Sequence, residues 1–231
     1  PVASWAARDW YGRWKAQQYF SKAALDDVLV SPLVTGDTLT VSVVNDRRSA
    51  VKGKMTLRVM DLNGNVVATK EVKHNAQPLS SKVVYTEDVK NLIGDRFKGD
   101  YIFVTEYATG DRTYNNIGYA IRQKYMNYKC PEIGLEVVAA GDGYDVTMTT
   151  DVFARGVFLS LDGIDNFFSD NYIDILPGAS RTIHVTTPLN EKDFRSQLKL
   201  TSMGHAYANV EAEESGTTIG KGGEYRPLGG D

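Results

Sequence analysis

After Ser31-Pro32 the hydrophobic period of the chain changes from 3.6 to 2 and stays there. Thr38 to Val44 places Leu39, Val41 and Val43 on one side. Met55 to Leu62 and Asn65 to Val72 flank Asn63-Gly64, a dipeptide suited to a two-residue type I′ hairpin, in which both central residues need positive φ. Lys82 to Tyr85, Tyr101 to Tyr107 and Asn116 to Ile121 continue the series, with Thr109-Gly110-Asp111 as a turn. Short alternating runs bury one face and wet the other, which predicts an antiparallel sandwich of about seven strands. A second series follows Cys130-Pro131: Gly134 to Ala139, Tyr144 to Thr150 across the turn Gly141-Asp142-Gly143, Gly156 to Leu161, Arg181 to Thr186, Gln197 to Thr201 and His205 to Ala212.

Helical signals are few. Asp9 to about Ala24 reads as one helix capped by Asp9, with Trp10 and Trp14 four apart on a shared, buried face. All three tryptophans, Trp5, Trp10 and Trp14, lie in this opening segment, and so aromatic a helix needs a partner surface. Short helices are also expected at Glu191 to Gln197 and Thr86 to Leu92. The Gly-rich stretch from Glu213 to Asp231 reads as a loose arm, or as a strap packed back through Ile219 and Tyr225.

Composition narrows the function classes. Of 231 residues, 42 % are hydrophobic and 24 % charged, enough apolar surface for packed cores. The net charge of −3 gives no general attraction to phosphate backbones or anionic lipids, so no nucleic-acid or membrane partner is expected. No apolar run approaches the roughly 20 residues that span a bilayer. A single cysteine, Cys130, excludes an internal disulfide framework and is expected to be a buried or half-buried inert thiol. Pro1-Val2-Ala3-Ser4-Trp5 has neither the basic region nor the apolar core of a signal peptide, and no Met, so the chain is read as a piece of a longer polypeptide.

Chemistry-bearing motifs are sparse. Gly216 to Lys221 lacks the spacing, the trailing Ser or Thr and the strand-to-helix setting of a phosphate loop. Asp61 to Asn65 opens like a calcium loop, but Val72 stands at the twelfth position, where a bidentate carboxylate is required. Asp162, Asp165, Asn166, Asp170 and Asn171 crowd oxygen atoms around Phe167-Phe168, a candidate sugar or calcium loop that equally suits Asx turns. His74, His184 and His205 have no paired ligand spacing, so no metal or cofactor is expected. Asp26-Asp27 and Glu213-Glu214 are adjacent rather than opposed, unlike the facing carboxyls, about 5–5.5 Å apart, of a retaining glycosidase. No catalytic residue is assigned. Trp5 can offer a stacking platform to a sugar ring.

Two stretches resemble a known family. Pro1-Val2-Ala3-Ser4-Trp5 followed by Asp9-Trp10-Tyr11-Gly12-Arg13-Trp14-Lys15-Ala16 resembles the end of the catalytic barrel in glycoside hydrolase family 2 β-mannosidases. Asp151 to Ala154, Val157 to Ser160 and Phe168 to Gly178 resemble the last sandwich domain of that family, and Val43-Val44-Asn45-Asp46-Arg47 the opening strand of the domain before it. The resemblance runs from Pro1 to about Tyr207 and is shared in architecture by exo-β-glucosaminidases. It implies a parent enzyme that removes terminal β-linked mannose through a covalent intermediate, with both catalytic glutamates upstream of this chain. Only Ser4 and Trp5 would border the sugar site.

The expected fold is therefore mainly β, an N-terminal α-helix followed by two immunoglobulin-like antiparallel β-sandwiches. Residues 1–28 would be the last helix of the barrel, 29–128 and 129–212 the two sandwiches, and 213–231 a polar tail. The expected function is that of a non-catalytic C-terminal region, inactive alone, that supports the barrel and borders a β-mannoside site. The alternative is a stand-alone carbohydrate-binding or protein-interaction module. The missing barrel is the expected partner, with the first sandwich receiving the helix, or a homodimer forming through that exposed helix. A bacterial parent would be periplasmic or secreted.

Overall fold

Alternation of the kind found in Leu39-Thr40-Val41-Ser42-Val43 sends every second side chain to one face, and the computed structural model, which describes residues 5–161 and 166–208, puts all three apolar residues in a core. The chain divides into two compact units, one made of Ser21–Asn127 and the other of the residues up to Phe20 together with those from Tyr128 onward. The division falls inside helix α1 (Ala16–Ala24).

The unit Ser21–Asn127 holds seven strands: β1 (Val28–Thr35), β2 (Thr38–Asn45), β3 (Val51–Asp61), β4 (Val66–Ala76), β5 (Ser80–Asp88), β6 (Tyr101–Thr109) and β7 (Thr113–Tyr119). They form two antiparallel sheets, ordered β1-β2-β5 and β4-β3-β6-β7. Val30, Leu39 and Val41 from one sheet meet Met55, Leu57, Val59 and Phe103 from the other, all fully buried. Pro32 lies inside β1, opposite Val41, ahead of where the alternation becomes legible. A proline without an N–H is tolerated there because β1 is an edge strand, and it packs so close to β7 that a Cβ on Gly118 would lie 2.9 Å from it.

Two local expectations are corrected in this unit. The hairpin between β3 and β4 is not type I′, because Gly64 alone has positive φ (96°) and Asn63 does not. Asp61 and Asn65 close a three-residue loop through Asp61 N–H to Asn65 O, and the Asp61 carboxylate accepts from the N–H groups of Asn63 and Asn65, both at 2.9 Å. A type I turn followed by a left-handed glycine has this form. Thr86 to Leu92 is likewise not one helix: β5 runs to Asp88, whose carboxylate caps helix α2 (Val89–Ile93) by accepting from Lys90 N at 2.7 Å.

Among the described residues the other unit also holds seven strands: β8 (Ile133–Ala140), β9 (Gly143–Thr150), β10 (Ala154–Ser160), β11 (Phe167–Phe168), β12 (Ile173–Ile175), β13 (Ser180–Thr186) and β14 (Lys199–Thr201). Their order is β11-β13-β9-β8 in one sheet and β12-β10-β14 in the second. Val146, Met148, Ile183 and Val185 face Val157, Leu159 and Ile175 across the core. Helix α3 (Glu191–Gln197) forms where expected, capped by Asn190, and stacks Phe194 on Tyr144 at 4.3 Å. His205 to Ala212 was expected as a strand, but 203–208 form helix α4; 209–212 lie outside the described residues. Ser202 starts that turn, its carbonyl accepting from Ala206 N–H and its hydroxyl 2.7 Å from His205 Nδ1.

The N-terminal segment departs most from expectation. Only Ala16–Ala24 is helical; Asp9 to Lys15 fold back as a loop instead. Asp9 Oδ1 accepts from the N–H groups of Tyr11 and Arg13, Gly12 takes φ 82°, and Arg8 bridges Trp14. The Asp9 side chain is thus committed to an Asx-type turn, which replaces the first helical turn. Trp10, expected on a buried face, is 93 % exposed. Tyr19 joins the core of the second sandwich, with Trp14 packed against it.

Candidate functional site

The same fold-back that ends the helical pattern builds an aromatic junction. With the loop closed by Lys15 N–H to Ala7 O at 3.0 Å, Trp14 turns its ring onto Tyr19 (5.2 Å) and onto Phe167 (5.3 Å, interplanar 86°). Tyr19 leans on Tyr172, which stacks on Phe158 at 4.6 Å. Burial pushes the Tyr19 hydroxyl up to about 12, so it stays protonated, 3.5 Å from the carbonyl of Phe168.

Beside this junction a cleft of about 570 Å³ opens within the same unit. Tyr11 and Arg13 line it from the N-terminal loop, Phe167 and Asn166 from β11 and its approach, and Asp142, Thr186 and Thr187 from the turn before β9 and the end of β13. Antiparallel pairing of Phe167 with Thr186 sets the aromatic ring next to the hydroxyl. The Arg13 guanidinium lies 5.0 Å from the Tyr11 ring centre and gives its Nε hydrogen to Asp9 Oδ2 at 2.6 Å.

Asp142 is held by His184 on β13. The imidazole Nε2 lies 3.0 Å from Asp142 Oδ1 and Nδ1 lies 2.8 Å from Asp145 Oδ1, so each ring nitrogen faces a carboxylate. These hydrogen bonds, that to Asp142 foremost, raise the imidazole above its ordinary 6.5, and the bond from His184 holds the Asp142 carboxyl below its usual range. The cleft thus presents an ionised carboxylate, a guanidinium, a hydroxyl and a half-exposed aromatic face. That set suits binding rather than proton transfer.

The residues singled out from sequence fall in different places. Ser4, Asp162 and Asp165 lie outside the described residues. Trp5 is 94 % exposed. Asn166 lines the cleft. Asp170 accepts from Asn171 N–H at 2.9 Å, while Asn171 is buried and spends its amide on β10, accepting from Leu159 N–H at 2.9 Å and donating to Leu159 O at 2.8 Å. Among the described residues no cluster of three or more His, Cys, Asp or Glu could hold a metal ion. Cys130 is exposed, not buried, and its thiol is pushed up by partial burial of the sulfur and by Asp151. Asp26 and Asp27 each meet an arginine: Arg112 at 2.5 Å and Arg47 at 2.7 Å. Sequence reasoning missed Tyr11, Arg13, Asp142 and Thr186. Gly141-Asp142-Gly143 read only as a turn, and nothing in the alternation of β13 marks its last threonine.

Comparison with known proteins bears on both units. Residues 37–125 match the family described as the mannosidase Ig/CBM-like domain, and residues 129–206 match the mannosidase Ig-fold domain. β-Mannosidase A of Aspergillus oryzae is 26 % identical over 209 residues, covering 82 % of this chain and 22 % of that enzyme. Its counterpart in Aspergillus niger is 27 % identical over 202 residues, covering 79 % and 21 %. The chain thus spans about a fifth of the length of the curated relatives it matches. Among solved structures, the β-D-mannosidase of Dictyoglomus thermophilum shares the fold at a TM-score of 0.72 and 22 % identity, over 86 % of this chain and 24 % of that one. The exo-chitosanase of Amycolatopsis orientalis does so at 0.58 and 14 %, over 86 % and 28 %.

Proposed function

Since the chain carries, in sequence order, the two immunoglobulin-like domains of the mannosidase families, we propose that it is the non-catalytic C-terminal region of a β-mannosidase-like retaining glycoside hydrolase. The ordered pair of domain matches carries this reading. In it, the opening residues are the outgoing end of the catalytic barrel, and the parent enzyme removes terminal β-linked mannose.

Surface chemistry supports it. Trp5 and Trp10, in the segment that resembles the barrel end, project almost wholly into solvent. Each tryptophan buries roughly 150–250 Å² when covered, so a barrel closing over this face gains a large apolar contact. Asp26 and Asp27 are taken up in ion pairs with Arg112 and Arg47, and the hydrogen bond from Arg47 holds the Asp27 carboxyl below its ordinary value, which makes Asp27 a poor candidate for acid–base work. The test is hydrolysis of an aryl β-mannoside by the purified chain. No release above a matched blank is the expected result; turnover that survives repurification would overturn the reading.

A further inference from the structure

We propose that the cleft between the N-terminal loop and the Asp142 turn binds a neutral pyranose unit of a mannoside chain. The mannoside identity rests on the function proposed above; the chemical class of the ligand rests on the cleft itself. Arg13 and Asp142 bring one positive and one negative group to the same opening, so a free anion meets a carboxylate and a free cation meets a guanidinium. A ring bearing several hydroxyls suits both, donating to Asp142 and accepting from Arg13 and Thr186.

Phe167 supplies the other half of the recognition. Its side chain is 46 % exposed, yet its ring is braced edge-on by Trp14 and its backbone is fixed by pairing with Thr186. A platform already held in place costs little to order on binding, and its face suits the apolar C–H side of a pyranose. Asp142 is fixed in the same way, by His184. A volume of about 570 Å³ lies within the roughly 300–1,000 Å³ of small-molecule sites, room for one or two sugar rings.

The experiment is a calorimetric titration of the full chain with β-1,4-mannobiose, and with inorganic phosphate as an ionic control. Saturable mannobiose binding is expected, weakened about tenfold or more in Phe167→Ala and in Asp142→Ala, with no heat from phosphate. Asp142 is a surface residue, so its variant keeps the test informative if Phe167→Ala does not fold; circular dichroism monitors both. No saturable heat with mannobiose, binding that a folded variant retains in full, or displacement by phosphate would each overturn the proposal. Failure here leaves the hydrolysis test unaffected, and turnover in that test would remove the mannoside rationale while the variants still report on the cleft.

Discussion

His184 shows how little of a residue's role its type reveals. In sequence it is one polar position in an alternating strand; in the fold it ties β13 to the β8–β9 turn through Asp142 and to β9 through Asp145. Its pKa is raised in the native state, so the pairing contributes fully below the unfolded value of about 6.5 and is lost as pH rises through the higher folded value. Replacing it with Gln, which keeps a hydrogen-bonding amide but no titrating charge, should flatten the fall in thermal midpoint as pH rises above about 6.5. Parallel pH profiles for the two proteins would mean that the imidazolium contributes nothing. Asn171 carries a similar lesson. The oxygen-rich loop was legible as composition, but that its amide substitutes for a strand partner of Leu159 depends on a residue twelve positions away.

Strands were legible where one face is buried and turns are marked by Gly or Asp, and the predicted runs from Thr38 to Ile121 anticipate β2 to β7. Two-residue and three-residue strands such as β11 and β12 are too short to show a period, which is why they went unseen. The opening helix was overextended because spacing alone put Trp10 and Trp14 on one face, whereas the Asp9 carboxylate and a left-handed Gly12 turn the chain before a helix can start. Asn45 is the clearest case of a sequence motif whose reason lies between elements. Fully buried at the end of β2, its amide nitrogen lies 2.9–3.1 Å from the carbonyl oxygens of Ser49, Ala76 and Gln77, while Oδ1 accepts from Arg47 N–H. It joins the exit of β2 to the entry of β3 and the exit of β4. Asn45→Ala should therefore lower the unfolding free energy by about 2–4 kcal/mol in urea titrations, since it removes a buried amide with four hydrogen-bond contacts and strands the buried carbonyl of Ala76; a loss below about 1 kcal/mol would show that water replaces the amide.

At the scale of the molecule, sequence order hides the fact that one unit is discontinuous. Two antiparallel sandwiches were readable from turn spacing, the first with about seven strands, but no local pattern says that residues before Phe20 complete the unit that resumes at Tyr128. A protein comprising residues 128–208 alone would lack Trp14 and Tyr19 from its core. Adding a peptide of residues 5–20 should raise its melting temperature in a dose-dependent way, and an unchanged midpoint at saturating peptide would mean that the contact adds no stability. The same arrangement dictates a waiting time during synthesis. Tyr19 leaves the ribosome 149 residues ahead of Phe168, a delay of roughly 7–30 s at ordinary elongation rates, while an intervening sandwich is made and can fold. Throughout that interval Trp14 has no dock on the strands of its own unit, so the segment around it is among the last parts of that unit to find its place.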